Sequence, residues 1–278
     1  MCMLNIGKFK LTPLNGGITQ MDGGATFGVV PKPLWQKKYP HNDNNQVPLV
    51  TYPILIQSEY GNMLIDSGVG NGKLDDKRKR NYGVNFESNI ADELSRLNLS
   101  TDDINVIMMS HMHFDHALGL TSSTGEPVFK NAKIITSQSE WDEMRNPNIR
   151  SKATYWKMNY EGIEEMVEPF TDEIEICPGI TMIHTGGHSE GHSVIEIKDG
   201  GERAVHMADL LPTTAHRNPL WVTAYDDYPM DSIFQKEELF ECYQDAWYIF
   251  YHDVRHFAVK FDGGEIIEEM RREPVVSV

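Results

Sequence analysis

The sequence predicts an α/β fold of layered sheets and helices, with residues 1–278 forming a single domain. Three observations carry this expectation. Short apolar runs with β character alternate with helix-like stretches along the chain. Those runs stop at Gly, His or Asp, as strands do when they deliver polar groups to the loops beyond a sheet. No internal repeat, low-complexity tract or linker rich in Gly, Ser or Pro divides the chain, and 278 residues are enough to bury a sizeable core.

Taken in order, "TYPILIQSEYGNMLIDSG" reads as two short strands around a turn at Gly61-Asn62, the second strand (Met63–Ile65) ending at Asp66. The cationic run Lys73–Arg80, "KLDDKRKR", reads as a solvated loop. Next, "NIADELSRLNLS" puts Ile90, Leu94 and Leu97 on one face of a helix, and an apolar strand, Ile104–Met109, then carries His111 to its end. The stretches "GITMIHTGGHSEGHSVIEI", "ERAVHMADLLP" and "DAWYIFYHD" repeat the theme of a strand that stops at a polar group.

Composition narrows the classes of function. Hydrophobic content of 40% and charged content of 24% are those of an ordinary globular protein, and no run approaches the roughly 18 apolar residues of a membrane span. A net charge of −16 repels phosphate backbones, so a nucleic-acid partner is not expected. The first residues lack the order of a secretory signal, and the three cysteines, Cys2, Cys177 and Cys242, form no C-x-x-C pair. Both features fit a cytoplasmic protein with free thiols.

The chemistry concentrates in "VIMMSHMHFDHALG", residues 106–119. Alternate side chains of an extended segment point the same way, so His111, His113 and Asp115 can share one side while a turn after Phe114 brings His116 round. Imidazole and carboxylate donors at this spacing suit Zn²⁺, and also Mn²⁺ or Fe²⁺. One ion cannot use all four and keep an open position for chemistry, whereas two ions can.

"HMHFDH" resembles the H-x-H-x-D-H motif of the metallo-β-lactamase superfamily, and the likeness extends over nearly the whole chain. The resemblance implies an αββα sandwich of two mixed β-sheets flanked by helices. It also implies two divalent ions: one on His111, His113 and His188 of "HTGGHSEGHS", the other on Asp115, His116 and His252 of "YIFYHD". Asp209 of "HMADLLP" would bridge them, and the catalytic role would fall on Asp115 and Asp209, with a metal-bridging hydroxide as nucleophile. His192 and Asp66, the latter in "LIDSG", would support the ligand histidines. A histidine at 113 favours hydrolysis over the oxidoreductase branch, which typically has Glu there. Only 26 residues follow His252, fewer than glyoxalase II would need.

Two stretches, "LNGGITQMDGGATFGVVPKPLWQKKYP" and "ADLLPTTAHRNPLWVTAYDDYPMDS", are similar to the subgroup of YtnP-like quorum-quenching lactonases and methyl parathion hydrolases. What that implies is a small-molecule lactone or ester substrate, with opening of the N-acyl homoserine lactone ring as the first expectation and aryl phosphotriester hydrolysis as the second. It also implies a homodimer, to which 27–39 contributes. Phe27, Trp35, His216, Trp221 and Tyr225 are the candidate pocket residues. Related lactonases place a tyrosine three positions after the bridging aspartate, where this chain has Pro212, so His216, Tyr225 or the metal alone is expected to support the carbonyl oxygen instead.

Overall fold

Successive strand residues point to opposite faces, and the consecutive buried runs of the central strands, such as residues 54–56, 63–65 and 193–197, mean that both faces of each sheet are covered. The structure is a computed structural model that describes residues 2–273. One seven-stranded sheet runs, in spatial order, through Leu4–Ile6, Phe9–Pro13, Ile54–Ser58, Gly61–Ile65, Ile104–Met108, Lys133–Ser137 and Val167–Phe170. Its first four strands pair antiparallel and the rest are added parallel, so the sheet is mixed. The second seven-stranded sheet runs through Glu173–Cys177, Ile180–His184, Ser193–Asp199, Glu202–His206, Trp247–Ile249, His256–Asp262 and Glu265–Arg271. It too is mixed, because Glu202–His206 and Trp247–Ile249 pair parallel.

The sheets face each other across one apolar core, where Phe9, Leu11, Ile54, Ile56, Met63 and Ile65 meet Ile180, Met182, Ile195, Ile197 and Phe257. The outer face of the first sheet, with Leu55, Leu64, Ile107 and Ile134, packs under Ile90 and Leu94 of the helix Ile90–Arg96 and Trp141 and Met144 of the helix Gln138–Arg145. The outer face of the second, with Val194, Val205, Tyr248 and Val259, packs under Leu239 and Phe240 of the helix Pro229–Cys242. Two mixed sheets flanked by helices are therefore the architecture, as the sequence predicts.

Three local readings change. A three-stranded antiparallel sheet of Gln46–Val50, Ile18–Asp22 and Val84–Phe86 lies outside both layers. The Gly61-Asn62 turn is displaced: Ser58 pairs with Gly61, so Glu59 and Tyr60 make the turn. Gly61 is needed for another reason, since a Cβ there would sit 2.4 Å from Asn105 Oδ1. The charged run Lys73–Arg80 is not loop throughout. The Asp75 carboxylate caps the helix Asp76–Asn81 by accepting from Arg78 N, and Lys73 turns inward to donate to Leu118 O, Thr121 Oγ1 and Met158 O. Among the described residues no helix is long and apolar enough to cross a membrane, and all three cysteines are free.

What positions the site is the direction of the parallel strands. Ile65, Met108 and Ser137 end three neighbouring strands of the first sheet on one side, and His206 and Ile249 end the parallel pair of the second. Asp66, His111, Asp209 and His252 all follow such ends, where α/β sheets collect their ligand-binding groups.

Candidate metal centre

The motif leaves its strand extended and then turns: His113 precedes the one-turn helix Phe114–Ala117, so Asp115 and His116 come back toward His111. Glycine-flanked His188 comes from the loop after Ile180–His184, and Asp209 from the short 3₁₀ turn Ala208–Leu210. Ala208 holds φ at +43°, a left-handed conformation that costs a side-chain-bearing residue roughly 1–2 kcal/mol. It is spent at the residue that aims Asp209.

Three groups of donors gather within 4.8 Å: His111, His113 and His188; His111, His116 and Asp209; and Asp115, His116 and His252. His188 Nε2 lies 3.1 Å from His113 Nδ1, and His116 Nε2 lies 3.2 Å from His252 Nε2. The Asp209 carboxylate stands between the sets, with Oδ2 3.3 Å from His188 Nε2 and 3.9 Å from His111 Nε2, and Oδ1 3.1 Å from His252 Nε2 and 3.5 Å from His116 Nε2. Asp115 Oδ2 is 3.7 Å from His252 Nε2. Donors sitting about 2.0–2.2 Å from a tetrahedral ion are about 3.3–3.6 Å from one another, and the separations here, 3.1 to 3.9 Å, lie around that spacing.

Two buried atoms speak for ions rather than for a hydrogen-bond network. His111 Nε2 and Asp209 Oδ1 are buried and have no hydrogen-bond partner among the described residues. Burial, reinforced by neighbouring imidazoles, holds His111 and His113 well below the ordinary histidine pKa, so both offer lone pairs. The donor set fits two divalent ions.

The far nitrogen of four of the rings fixes its tautomer. His116 Nδ1 donates to Asp66 Oδ2 at 2.8 Å, His188 Nδ1 to Asp226 Oδ1 at 2.9 Å, and His252 Nδ1 to Val50 O at 2.7 Å. Ser110 Oγ donates to Asp66 Oδ2 at 2.8 Å and so accepts from His111 Nδ1 at 3.1 Å. Asp66 also accepts from Ser110 N, and φ of +59° turns its backbone to do so. Burial works to raise its pKa, yet the adjoining His116 and His206 hold the carboxyl at about 2. His192 donates nothing to a ligand ring: its Nδ1 meets Thr185 Oγ1, while its ring stands 5.5 Å from His111 and 5.9 Å from His188. Burial first, then His188, lowers it to about 3, so it packs against the centre uncharged.

A pocket of about 290 Å³ opens over Asp115, Asp209, His113, His188 and His252. Its walls are Met21, Leu49, Tyr82, Phe114, Ala153, Pro212, Ala224 and Tyr225, with Arg150 and Asp227 at the rim. Of the five expected pocket residues, Tyr225 lines it. The other four do not: Phe27 is stacked between Trp35 and His216, with centroids 4.7 Å away on both sides, and Trp221 meets it edge-on at 6.1 Å. This is a core cluster, shared with Tyr39 and Val47. His216 in particular has no free donor for a substrate, since Nδ1 meets Thr213 Oγ1 and Nε2 meets Thr26 O. Burial, with Lys236 nearby, lowers its pKa to about 4. That leaves Tyr225 as the candidate at the pocket wall.

Sequence reasoning missed Asp226, Glu140, Tyr251 and the Val50 carbonyl. Tyr251 stacks on His116 at 4.3 Å and donates to Asp115 O at 2.9 Å. No spacing rule announces any of these. "SQSEW" does carry the S-x-x-E signature of a helix start, which marks Glu140, though the side chain turns inward instead of closing a capping box.

The profile of the metallo-beta-lactamase superfamily matches residues 47–243. The crystal structure of a probable metal-dependent hydrolase from Staphylococcus aureus superposes with a TM-score of 0.96 at 52% identity, covering 98% of this chain and 100% of that one. An N-acyl homoserine lactonase of Bacillus thuringiensis is 27% identical over 154 residues, 52% of this chain and 56% of its own. The match thus spans little more than half the length of that curated relative. AidC, a dizinc quorum-quenching lactonase solved with its product, has a TM-score of 0.80 at 17% identity, over 99% of this chain and 98% of its own, which is a likeness of fold alone.

Proposed function

The chain belongs to the metallo-β-lactamase superfamily, and from its donor set and pocket we propose that it is a dinuclear metal-dependent hydrolase that opens N-acyl homoserine lactone rings. The observation that carries this is the pocket: carboxylates and imidazoles form its floor and apolar side chains its walls. Such a shape takes a compact polar ring inward and an acyl tail along Met21, Leu49, Tyr82 and Phe114.

Two divalent ions, zinc first and manganese or iron also suited to these donors, would lower the pKa of a bound water and polarise the acyl oxygen. The chain's own groups do the rest. Asp66, Asp226, Ser110 and Val50 O hold four imidazoles in the tautomer that presents Nε2 inward. The apolar walls exclude competing water. Asp115 and Asp209 border the reacting carbonyl, where the proton released as water adds must pass before the ring oxygen departs as a hydroxyl. Tyr225 is the wall tyrosine left for the acyl oxygen, because the Tyr82 hydroxyl donates to Ala153 O at 2.7 Å. Exposed Val29 and Leu34, beside buried Phe27 and Trp35, support a homodimer as part of the same reading.

The rings of Tyr82 and Phe114, 4.9 Å apart on the pocket wall, also favour an aryl group, which makes aryl phosphotriester hydrolysis the second reading. Metal content per chain, with initial rates on a homoserine lactone and on a paraoxon-type ester, tests both in wild type and Asp209→Asn. Two ions, lactone rates far above ester rates, and a fall of more than about 100-fold in the variant are expected. Preference for the ester would replace the lactonase reading with the second one.

A further inference from the structure

Glu140 is fully buried, has no cationic partner among the described residues, and directs its carboxylate to the two segments that carry the first set of donors. Oε1 accepts from Met112 N at 2.6 Å and from Tyr155 OH at 2.6 Å, and Oε2 accepts from Ser189 Oγ at 2.7 Å. Met112 stands between His111 and His113, Ser189 follows His188, and the Tyr155 ring packs 5.0 Å from the His113 ring. A buried carboxylate costs several kcal/mol unless hydrogen bonds compensate it, so one retained at this place is held there by what it joins.

The backbone around it is built to the same end. Ser137 Oγ accepts from Glu140 N and donates to Gly191 O at 2.6 Å, tying the start of the helix Gln138–Arg145 to the loop that bears His188. Gly191 lies so close that a Cβ would sit 2.0 Å from Glu140 N. No contact of Glu140 reaches Asp115, His116 or His252; that second set is held by Asp66, Tyr251 and the Val50 carbonyl.

We propose that Glu140 is a positioning residue for one ion only: it locks the His111–His113 segment to the His188 loop and so sets the affinity of the ion on His111, His113 and His188, leaving the ion on Asp115, His116 and His252 to other supports. The inference rests on the two-ion reading of the centre.

The test measures cobalt and zinc per chain, and the Co²⁺ absorption spectrum, across a series of chelator-buffered free-metal concentrations. Wild type binds two ions. Glu140→Ala, folded by circular dichroism, is expected to keep one ion at wild-type affinity and to bind the other at least about tenfold more weakly. Glu140→Gln is expected to restore the pair, because its oxygen still accepts from Met112 N and Tyr155 OH and its amide can donate to Ser189 Oγ. Equal weakening of both ions in Glu140→Ala, or no weakening, overturns the inference. If that variant does not fold, Ser189→Ala and Tyr155→Phe each remove one bond and must weaken the same single ion; wild-type affinity at both ions in both variants overturns it as well. A wild-type chain that binds no divalent ion overturns the two-ion reading and this inference with it, whereas failure confined to the variants leaves that reading standing.

Discussion

Asp226→Ala removes the acceptor that holds His188. The Asp226 carboxylate is buried, accepts from His188 Nδ1 at 2.9 Å and from Thr223 Oγ1 at 2.7 Å, and is kept ionised: burial works to raise its pKa, but His188 and Thr223 outweigh it. A hydrogen bond to a charged acceptor contributes about 1.5–3 kcal/mol, which at 1.36 kcal/mol per tenfold is about 10–150-fold in affinity. Losses of about 10–100-fold are usual when an outer partner of a ligand histidine is removed. The expected result is therefore a one- to two-decade rise in the dissociation constant of the ion on His111, His113 and His188. Asp226→Asn, which keeps a neutral acceptor, should lose less than Asp226→Ala. Chelator competition with zinc, read ion by ion, is the assay. An unchanged first ion in a folded Asp226→Ala, or a loss shared equally by both ions, would show that His188 is not held through Asp226.

Two further expectations concern stability and specificity. Lys236 is wholly buried, donates to Trp221 O and Asn218 O, and burial lowers its pKa to about 7. The unfolded chain, with an ordinary lysine near 10.4, then binds more protons than the folded one between pH 7 and about 10, so this group makes the folded state more stable as pH rises through that window, by roughly 4 kcal/mol at most. Chemical denaturation of wild type and Lys236→Met at pH 7, 8.5 and 10 checks it: the stability difference, wild type minus variant, should increase with pH, and a constant difference would contradict the burial argument. Tyr82→Ala removes a ring from the pocket wall, so KM should rise about tenfold for long acyl chains and stay near wild type for short ones.

The cluster of candidate donors was legible because its first four members fall within six consecutive residues, and a strand end followed by a turn presents them together. The layered α/β class was legible for a related reason: β-like runs that stop at polar residues mark strand ends whatever the tertiary details. The aromatic residues were not. Phe27, Trp35, His216 and Trp221 read equally well as pocket or core, and what separates them is that they pack with Val47, Leu49 and Met21 of the small third sheet, a tertiary fact with no period in the sequence. The run Lys73–Arg80 misled for another reason. Charge suggests solvent, but a lysine with three oxygen acceptors can turn inward half-buried, and Asp75 supplied a helix start inside the charged run.

Asp226, Glu140 and the Val50 carbonyl share one property that hid them: each acts through a histidine or a backbone amide that belongs to another segment of the chain. Asp226 lies 38 positions from His188, Glu140 lies 28 from Met112, and Val50 lies 202 from His252. The last of these explains the small third sheet, which the sequence did not announce. Its strand Gln46–Val50 ends against His252, and the two residues exchange hydrogen bonds, Val50 N to His252 O and His252 Nδ1 to Val50 O. A donor set drawn from strand ends of both main sheets needs each ring held from outside, because a sheet fixes a backbone position but not the rotation of an imidazole. The supports divide accordingly: Glu140 and Asp226 serve the first set alone, the Val50 carbonyl and Tyr251 serve the second alone, and Asp66 reaches both, His116 directly and His111 through Ser110. This division is why removing Glu140 or Asp226 is expected to be felt by one ion and not by both.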